Sequence, residues 1–171
     1  TIKTWISVLK ASFVVFELAP FFDNIRKRVI KSPKLYFCDP GLAAFLLGIE
    51  TGAQVSRDPL RGGLYENLLV AEILKYRYNN GLRPEMYFYR DSNGNEVDLI
   101  VKEGRRLVAV EIKSAATFTT DFMKGIERFS KTLGDRQIEG VVFYNGPHTR
   151  KVNRIRVLNP LRHGGIESAL F

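Results

Sequence analysis

The chain has 171 residues, of which 45% are apolar and 12% aromatic, so it can bury at least one core and is not a disordered tail. No apolar run reaches 18 residues and no charged, apolar, small-residue leader opens the chain, which argues against a membrane span or secretion and for a cytoplasmic protein. The net charge of +8 favours a polyanionic partner, nucleic acid first, and the single Cys38, set among apolar neighbours, excludes an internal disulfide and reads as a buried thiol.

Ile2, Trp5, Ile6 and Leu9 recur at helical spacing from the outset, as though an element had been cut open, and the chain reads as a fragment. Phe13 to Leu18 reads as a strand, DNIRKRVIKSP as a basic loop, and Lys34 to Cys38 as a returning strand. Helix, strand, basic loop, strand is a wing-like order. Trp5 and the phenylalanines at 13, 16, 21 and 22 are expected in the core. Asp39 is placed to cap a helix that starts at Pro40, carries Leu42, Phe45 and Leu46, and stops at Gly48.

The polar, glycine-rich stretch TGAQVSRDPLRGG reads as a connection, with a domain boundary near residue 55. A long helix is expected from Leu64 to Tyr78 and is ended by NNG. Tyr87 to Arg90, Glu96 to Lys102 and Leu107 to Lys113 are expected strands, separated by the turn DSNGN and by EGRR. A helix over Thr120 to Leu133, a strand over Gly140 to Tyr144 and a further strand over Ile155 to Leu158 complete an α/β order with a parallel crossover. Cations cluster twice: Arg26, Lys27, Arg28, Lys31 and Lys34 early, then Arg150, Lys151, Arg154, Arg156 and Arg162 late. No G-x-x-x-x-G-K-[ST] phosphate loop is present.

The charges inside the strands NEVDLIV and VAVEIKS need a reason. If the two strands pair as a tight hairpin with Gly104 and Arg105 at the turn, Glu103 faces Arg106, Lys102 faces Leu107, and Asp98 comes opposite Glu111. A slip of one residue would separate the two acids onto opposite faces. Two carboxylates that close repel unless a proton or a cation lies between them, and Mg²⁺ or Mn²⁺ suits such hard oxygens. Lys113 shares the face of Glu111 and is placed to orient a water or neutralise a phosphate. Glu66 precedes Leu69, Val70 and Ile73 on an inward helical stripe, whereas Glu72 can pair outward with Lys75. The residues also leave purely structural pairings open: Glu96 with Lys113, Glu111 with Arg90, and Glu66 as a first-turn acid that complements the helix dipole.

Through Glu66, EVDLIV and VEIKS, the sequence resembles the PD-(D/E)XK nuclease superfamily, with Val97 standing where the motif has proline. More widely, KSPKLYFCDPGLAAFLLG, LYENLLVAEILKY, YFYRDSNGNEVDLIV and VAVEIKSA resemble the carboxy-terminal part of a large prokaryotic family of predicted AAA-type ATPases. That resemblance implies an upstream ATPase core, a partial winged-helix segment over residues 1–55, and a nuclease-like domain over residues 56–171. The implied fold is α/β, restriction-endonuclease-like, with a mixed sheet flanked by helices. Asp98 and Glu111 would then bind Mg²⁺ or Mn²⁺, Lys113 would be the catalytic lysine and Glu66 the helical acid. Arg26, Lys27, Arg28 and Lys31 would contact DNA phosphates from the wing. The rival expectation is a catalytically silent module that docks DNA or another protein to the ATPase.

Overall fold

A computed structural model describes residues 1–22, 32–134, 136–162 and 166–170. The expected wing cations Arg26, Lys27, Arg28 and Lys31 lie outside the described residues. The described strands build one mixed sheet of eight, in the order β2-β1-β3-β4-β5-β6-β8-β7. They are β1 (Val15–Pro20), β2 (Lys34–Phe37), β3 (Met86–Arg90), β4 (Glu96–Glu103), β5 (Arg106–Lys113), β6 (Ile138–Tyr144), β7 (Arg150–Val152) and β8 (Ile155–Leu158). The helices are α1 (Ile2–Ala11), α2 (Pro40–Leu46), α3 (Gly52–Arg57), α4 (Arg61–Asn79), α5 (Lys124–Leu133) and α6 (Glu167–Leu170).

Helices cover both faces, which is why the central strands read as nearly unbroken apolar runs rather than as alternating ones. On one face Leu69, Val70 and Ile73 of α4 pack with Leu99, Val101, Val108, Val110, Val141 and Phe143. On the other, Ile126 and Phe129 of α5 pack with Val97, Ile100, Leu107, Ala109, Val142 and Val157. The step from β5 through α5 to β6 is parallel, as a helical crossover requires.

The sheet does not break at residue 55. β1 pairs in parallel with β3 through Ala19 opposite Tyr87 and Pro20 opposite Phe88, and Leu18 and Tyr36 share one core with α4. Buried Asn67 fastens β2 to α4: its Oδ1 accepts from the Phe37 N–H at 2.8 Å, and its Nδ2 donates to the Phe37 carbonyl at 2.8 Å. Asp39 caps α2 as expected, accepting from the Gly41 N–H. The stretch read as a connection contains α3, started by a capping box in which Thr51 and Gln54 satisfy each other's backbone donors.

Three aromatic side chains expected in the core are instead exposed: Trp5 is 72% accessible, Phe13 83% and Phe22 59%. Trp5 lies on α1, which buries none of its own residues, and Phe13 and Phe22 lie outside the helices and strands, in the segments on either side of β1. Phe21 is buried and Phe16 packs on the core, as expected. Cys38 is half-buried rather than fully buried. No described helix is long and apolar enough to cross a membrane.

Candidate functional site

The hairpin of β4 and β5 has the expected register. Glu103 lies opposite Arg106, Lys102 opposite Leu107 and Leu99 opposite Val110, around a two-residue turn in which Gly104 adopts a φ of 59°. Continuing that count brings Asp98 level with Glu111. The Asp98 carboxylate then takes over a backbone donor: Oδ2 accepts from the Ile112 N–H at 2.8 Å. Upstream, the turn that delivers β4 is held by buried Asp91, whose Oδ1 accepts from the N–H groups of Asn93 and Asn95, both at 2.9 Å.

Lys113 joins the two acids. Its Nζ lies 2.6 Å from Glu111 Oε1 and 3.6 Å from Asp98 Oδ2. Only about a tenth of either carboxylate side chain is exposed, against a third of Lys113. The second Glu111 oxygen, Oε2, is buried and accepts no hydrogen bond from the described residues. Its neighbour is the backbone of α5, where a Cβ added at Gly125 would come within 3.1 Å of Oε2 and 2.4 Å of the Glu96 carbonyl.

Burial and the nearby Asp98 charge push the Glu111 carboxyl up to about 7, with Lys113 pulling in the opposite direction. Asp98 is also raised, by burial and by the charge of Glu66, despite Lys113 and the Ile112 N–H. Burial alone would lower the Lys113 amine, yet the two carboxylates hold it above its ordinary value. Altogether this is a desolvated acid pair short of positive charge.

Glu66 stands one step away and is occupied. Its Oε1 accepts from the Tyr36 hydroxyl at 2.5 Å and from Lys34 at 3.0 Å. Lys34 also meets Glu96 Oε1 at 2.7 Å, and Arg90 grips Glu96 Oε2 with Nε at 2.9 Å and Nη2 at 2.7 Å. Two pairings left open by the residues are therefore resolved otherwise: Lys113 serves Glu111 and Asp98, and Arg90 serves Glu96. Lys34, grouped by sequence with the wing cations, turns into this network instead. Glu72 pairs with Lys75 on the outer side of α4, as expected.

The sequence missed Lys34, Tyr36 and Asn67 as site and support residues. Lys34 and Tyr36 alternate along one strand and so share a face, which was the available signal. What it could not give was the partner: each meets Glu66 from about thirty positions away in the chain.

Replacing Gly125 by alanine is expected to destabilise the protein by about 1–3 kcal/mol, although alanine is the better helix former. The added carbon would press on the Glu96 backbone, which cannot swing aside as a side chain can. A fall in thermal midpoint checks this; an unchanged or higher midpoint would show that α5 can lift off β4 without cost.

Among the described residues, no three histidine, cysteine or acidic groups are arranged to hold a metal ion. The set present is two carboxylates, one of them with an unpaired oxygen. That fits a hard cation of the Mg²⁺ kind, which is often held by one or two carboxylates with water and substrate phosphate completing its shell.

Fold and site together define a mixed α/β domain with a buried acid pair and a lysine at the frayed end of a central hairpin. The chain belongs to the DUF4143 family, a domain of unknown function that matches residues 61–163. Residues 1–53 are similar to a second domain of unknown function, DUF8612. Over 117 residues the chain is 33% identical to the uncharacterized protein Rv2008c of Mycobacterium tuberculosis and to the uncharacterized protein Mb2031c of Mycobacterium bovis, covering 68% of this chain and 26% of each of theirs. It thus spans about a quarter of the length of the curated relatives it matches. No solved structure matches it.

Proposed function

We propose that this chain is a nuclease-like module of a larger AAA-type ATPase and that its acid pair serves metal-assisted phosphodiester hydrolysis in DNA. The observation that carries the reading is the orphaned Glu111 Oε2, a buried carboxylate oxygen with no donor among the described residues, beside a second buried acid. A desolvated anion left so is costly unless a cation or proton joins it. Resemblance to the PD-(D/E)XK pattern, in the order Glu66, Asp98, Glu111, Lys113, supports the same reading.

In this role Asp98 and Glu111 would hold Mg²⁺ or Mn²⁺. A bound ion of that kind polarises a phosphate and acidifies a water. Lys113, a third exposed, is the residue able to swing from Glu111 toward an incoming phosphate or water, where its charge offsets the developing negative charge. Glu66, tied by Tyr36 and Lys34, acts on Asp98 through its charge rather than by direct contact with substrate.

Supercoiled plasmid incubated with the protein and Mn²⁺ is the direct test. Nicked circles are expected from the unmodified protein, and Glu111→Ala and Lys113→Ala should each slow nicking by about 100-fold or more. Nicking that persists in Glu111→Ala would come from a contaminant and would remove the proposal.

A second reading, a catalytically silent module that docks DNA or a protein to the ATPase, is favoured by one observation. Lys113 already lies 2.6 Å from Glu111 and within reach of Asp98, which gives the acids a resident cation. Protein that binds DNA but leaves plasmid intact across metals and pH would select this reading.

A further inference from the structure

At the opposite end of the sheet from the acid pair lies an open groove of about 1180 Å³. It is formed where β5, β6 and β8 begin and where α5 ends, roughly 20 Å along β5 from Lys113 by the rise of a strand. Seven cationic side chains line it against two carboxylates. One carboxylate is already matched: Arg106 donates from Nε to Glu139 Oε1 at 2.7 Å and from Nη2 to Oε2 at 2.9 Å. Arg106 also reaches the Leu170 carbonyl at 2.9 Å, which fixes it as part of the wall. By contrast, Arg105, Lys131, Lys151 and Arg154 are exposed and form no ion pair among the described residues. Part of the late cation cluster thus belongs to this groove rather than to the candidate site.

Arg154 adds an independent observation. It occupies the two-residue turn between β7 and β8, with Val152 opposite Ile155, and adopts a φ of 69° after Asn153 at 48°. Such a turn favours asparagine followed by glycine, because an L side chain is strained at positive φ. Here an arginine holds the position best suited to glycine. Strain kept at an exposed charge points to use of that charge.

We infer that this groove binds the phosphate backbone of duplex nucleic acid. The lining contains no aromatic side chain, so the base stacking that holds single strands is absent. Among the apolar lining residues Leu107, Ile126 and Ile155 are buried and Ile138 is half-buried against the core, leaving no fully exposed apolar anchor of the kind a protein partner uses. What remains is unpaired positive charge spread over a wide, open surface, the requirement for phosphate contacts without base readout. The inference shares with the proposed function only the choice of nucleic acid and does not depend on the acid pair.

Fluorescence anisotropy with a 20-base-pair duplex, in EDTA so that cleavage plays no part, provides the test. Charge reversal at Arg105, Lys131, Lys151 and Arg154 together should reduce the slope of log affinity against log salt by about 3–4, at roughly 0.9 per lost phosphate contact. Arg154→Gly should weaken binding and reduce that slope by about 1 while raising the thermal midpoint, since it relieves the turn. That opposite movement of binding and stability separates a lost contact from a damaged fold. Unchanged affinity and slope in Arg154→Gly and in the reversed variant would overturn the inference. So would displacement of the duplex by a polyglutamate peptide at equal charge concentration, which would assign the groove to an acidic protein segment.

Discussion

Lys34→Met is expected to cost about 2–3 kcal/mol of stability, somewhat below the toll of removing one partner from a fully buried ion pair. Lys34 stands between Glu66 at 3.0 Å and Glu96 at 2.7 Å, with about a fifth of its side chain exposed. Burial alone would lower its amine, but the surrounding carboxylates raise it. Methionine keeps much of the stem's apolar volume and removes the charge, and with it the contact of Nζ over the Phe88 ring at 5.5 Å. Glu66 would then keep the Tyr36 hydroxyl, and Glu96 would keep Arg90. Urea unfolding should show a lower midpoint with an unchanged slope.

Glu66→Gln added to Lys34→Met should return part of the loss, because it removes one of the charges left unpaired. The cost should also shrink in acid. Burial raises Glu96, but Lys34 and Arg90 outweigh it and hold the group below its ordinary 4.5. A depressed carboxyl contributes stability above its unfolded value, and this is lost as pH falls through the folded one. The difference between Lys34→Met and the unmodified protein should therefore narrow below about pH 4.5. A gap that stays constant down to pH 3 would mean that Lys34 acts by packing rather than by charge.

The same network shows what could be read from sequence and what could not. Asp98 and Glu111 were brought level on paper because a two-residue turn fixes both register and pleat, and Gly104 is the residue that permits the turn. Local spacing was sufficient there. Lys34 and Tyr36 reach Glu66 only because β1 carries β2 onto the edge of β3, a parallel pairing between segments far apart in the chain. Nothing in the periodicity of residues 34–37 encodes that neighbour. For α3 the signal was present and was outweighed by glycine content: Thr51 and Gln54 have capping-box spacing. β7 had no signal, since its three residues are mostly exposed and two are charged.

The apolar stripe of α1 was read correctly as a helix, but Trp5 on it was wrongly expected in the core. Periodicity reports which residues share a face, not whether anything covers it. The same distinction applies to the two cation clusters, which look alike in composition. Lys34, from the first, is drawn into an acid network, whereas Lys151 and Arg154, from the second, remain exposed on an open groove. Only the position of the counter-charges tells them apart.

Glu111→Gln is expected to stabilise the protein at pH 8 by about 3 kcal/mol, an unusual sign for a substitution at a buried polar position. The folded protein holds the Glu111 proton up to about pH 7, against an ordinary value of 4.5. A carboxyl raised in this way adds stability that is fully present below the unfolded value and is lost as pH rises toward the folded one. The unmodified protein should therefore weaken between about pH 4.5 and 7, whereas the glutamine variant, neutral throughout, should not show this component. Near pH 4 the two should be close to equal. Divalent metal should act in the opposite direction at pH 8: Mn²⁺ bound by the acid pair raises the midpoint of the unmodified protein and not that of Glu111→Gln, which has lost a charged ligand. Urea titrations at the two pH values, with and without Mn²⁺, measure all four arms. A glutamine variant weaker than the unmodified protein at pH 8 would show that the ion pair with Lys113 outweighs burial and that the site is already balanced. In that case the acid pair would have no need of a metal ion.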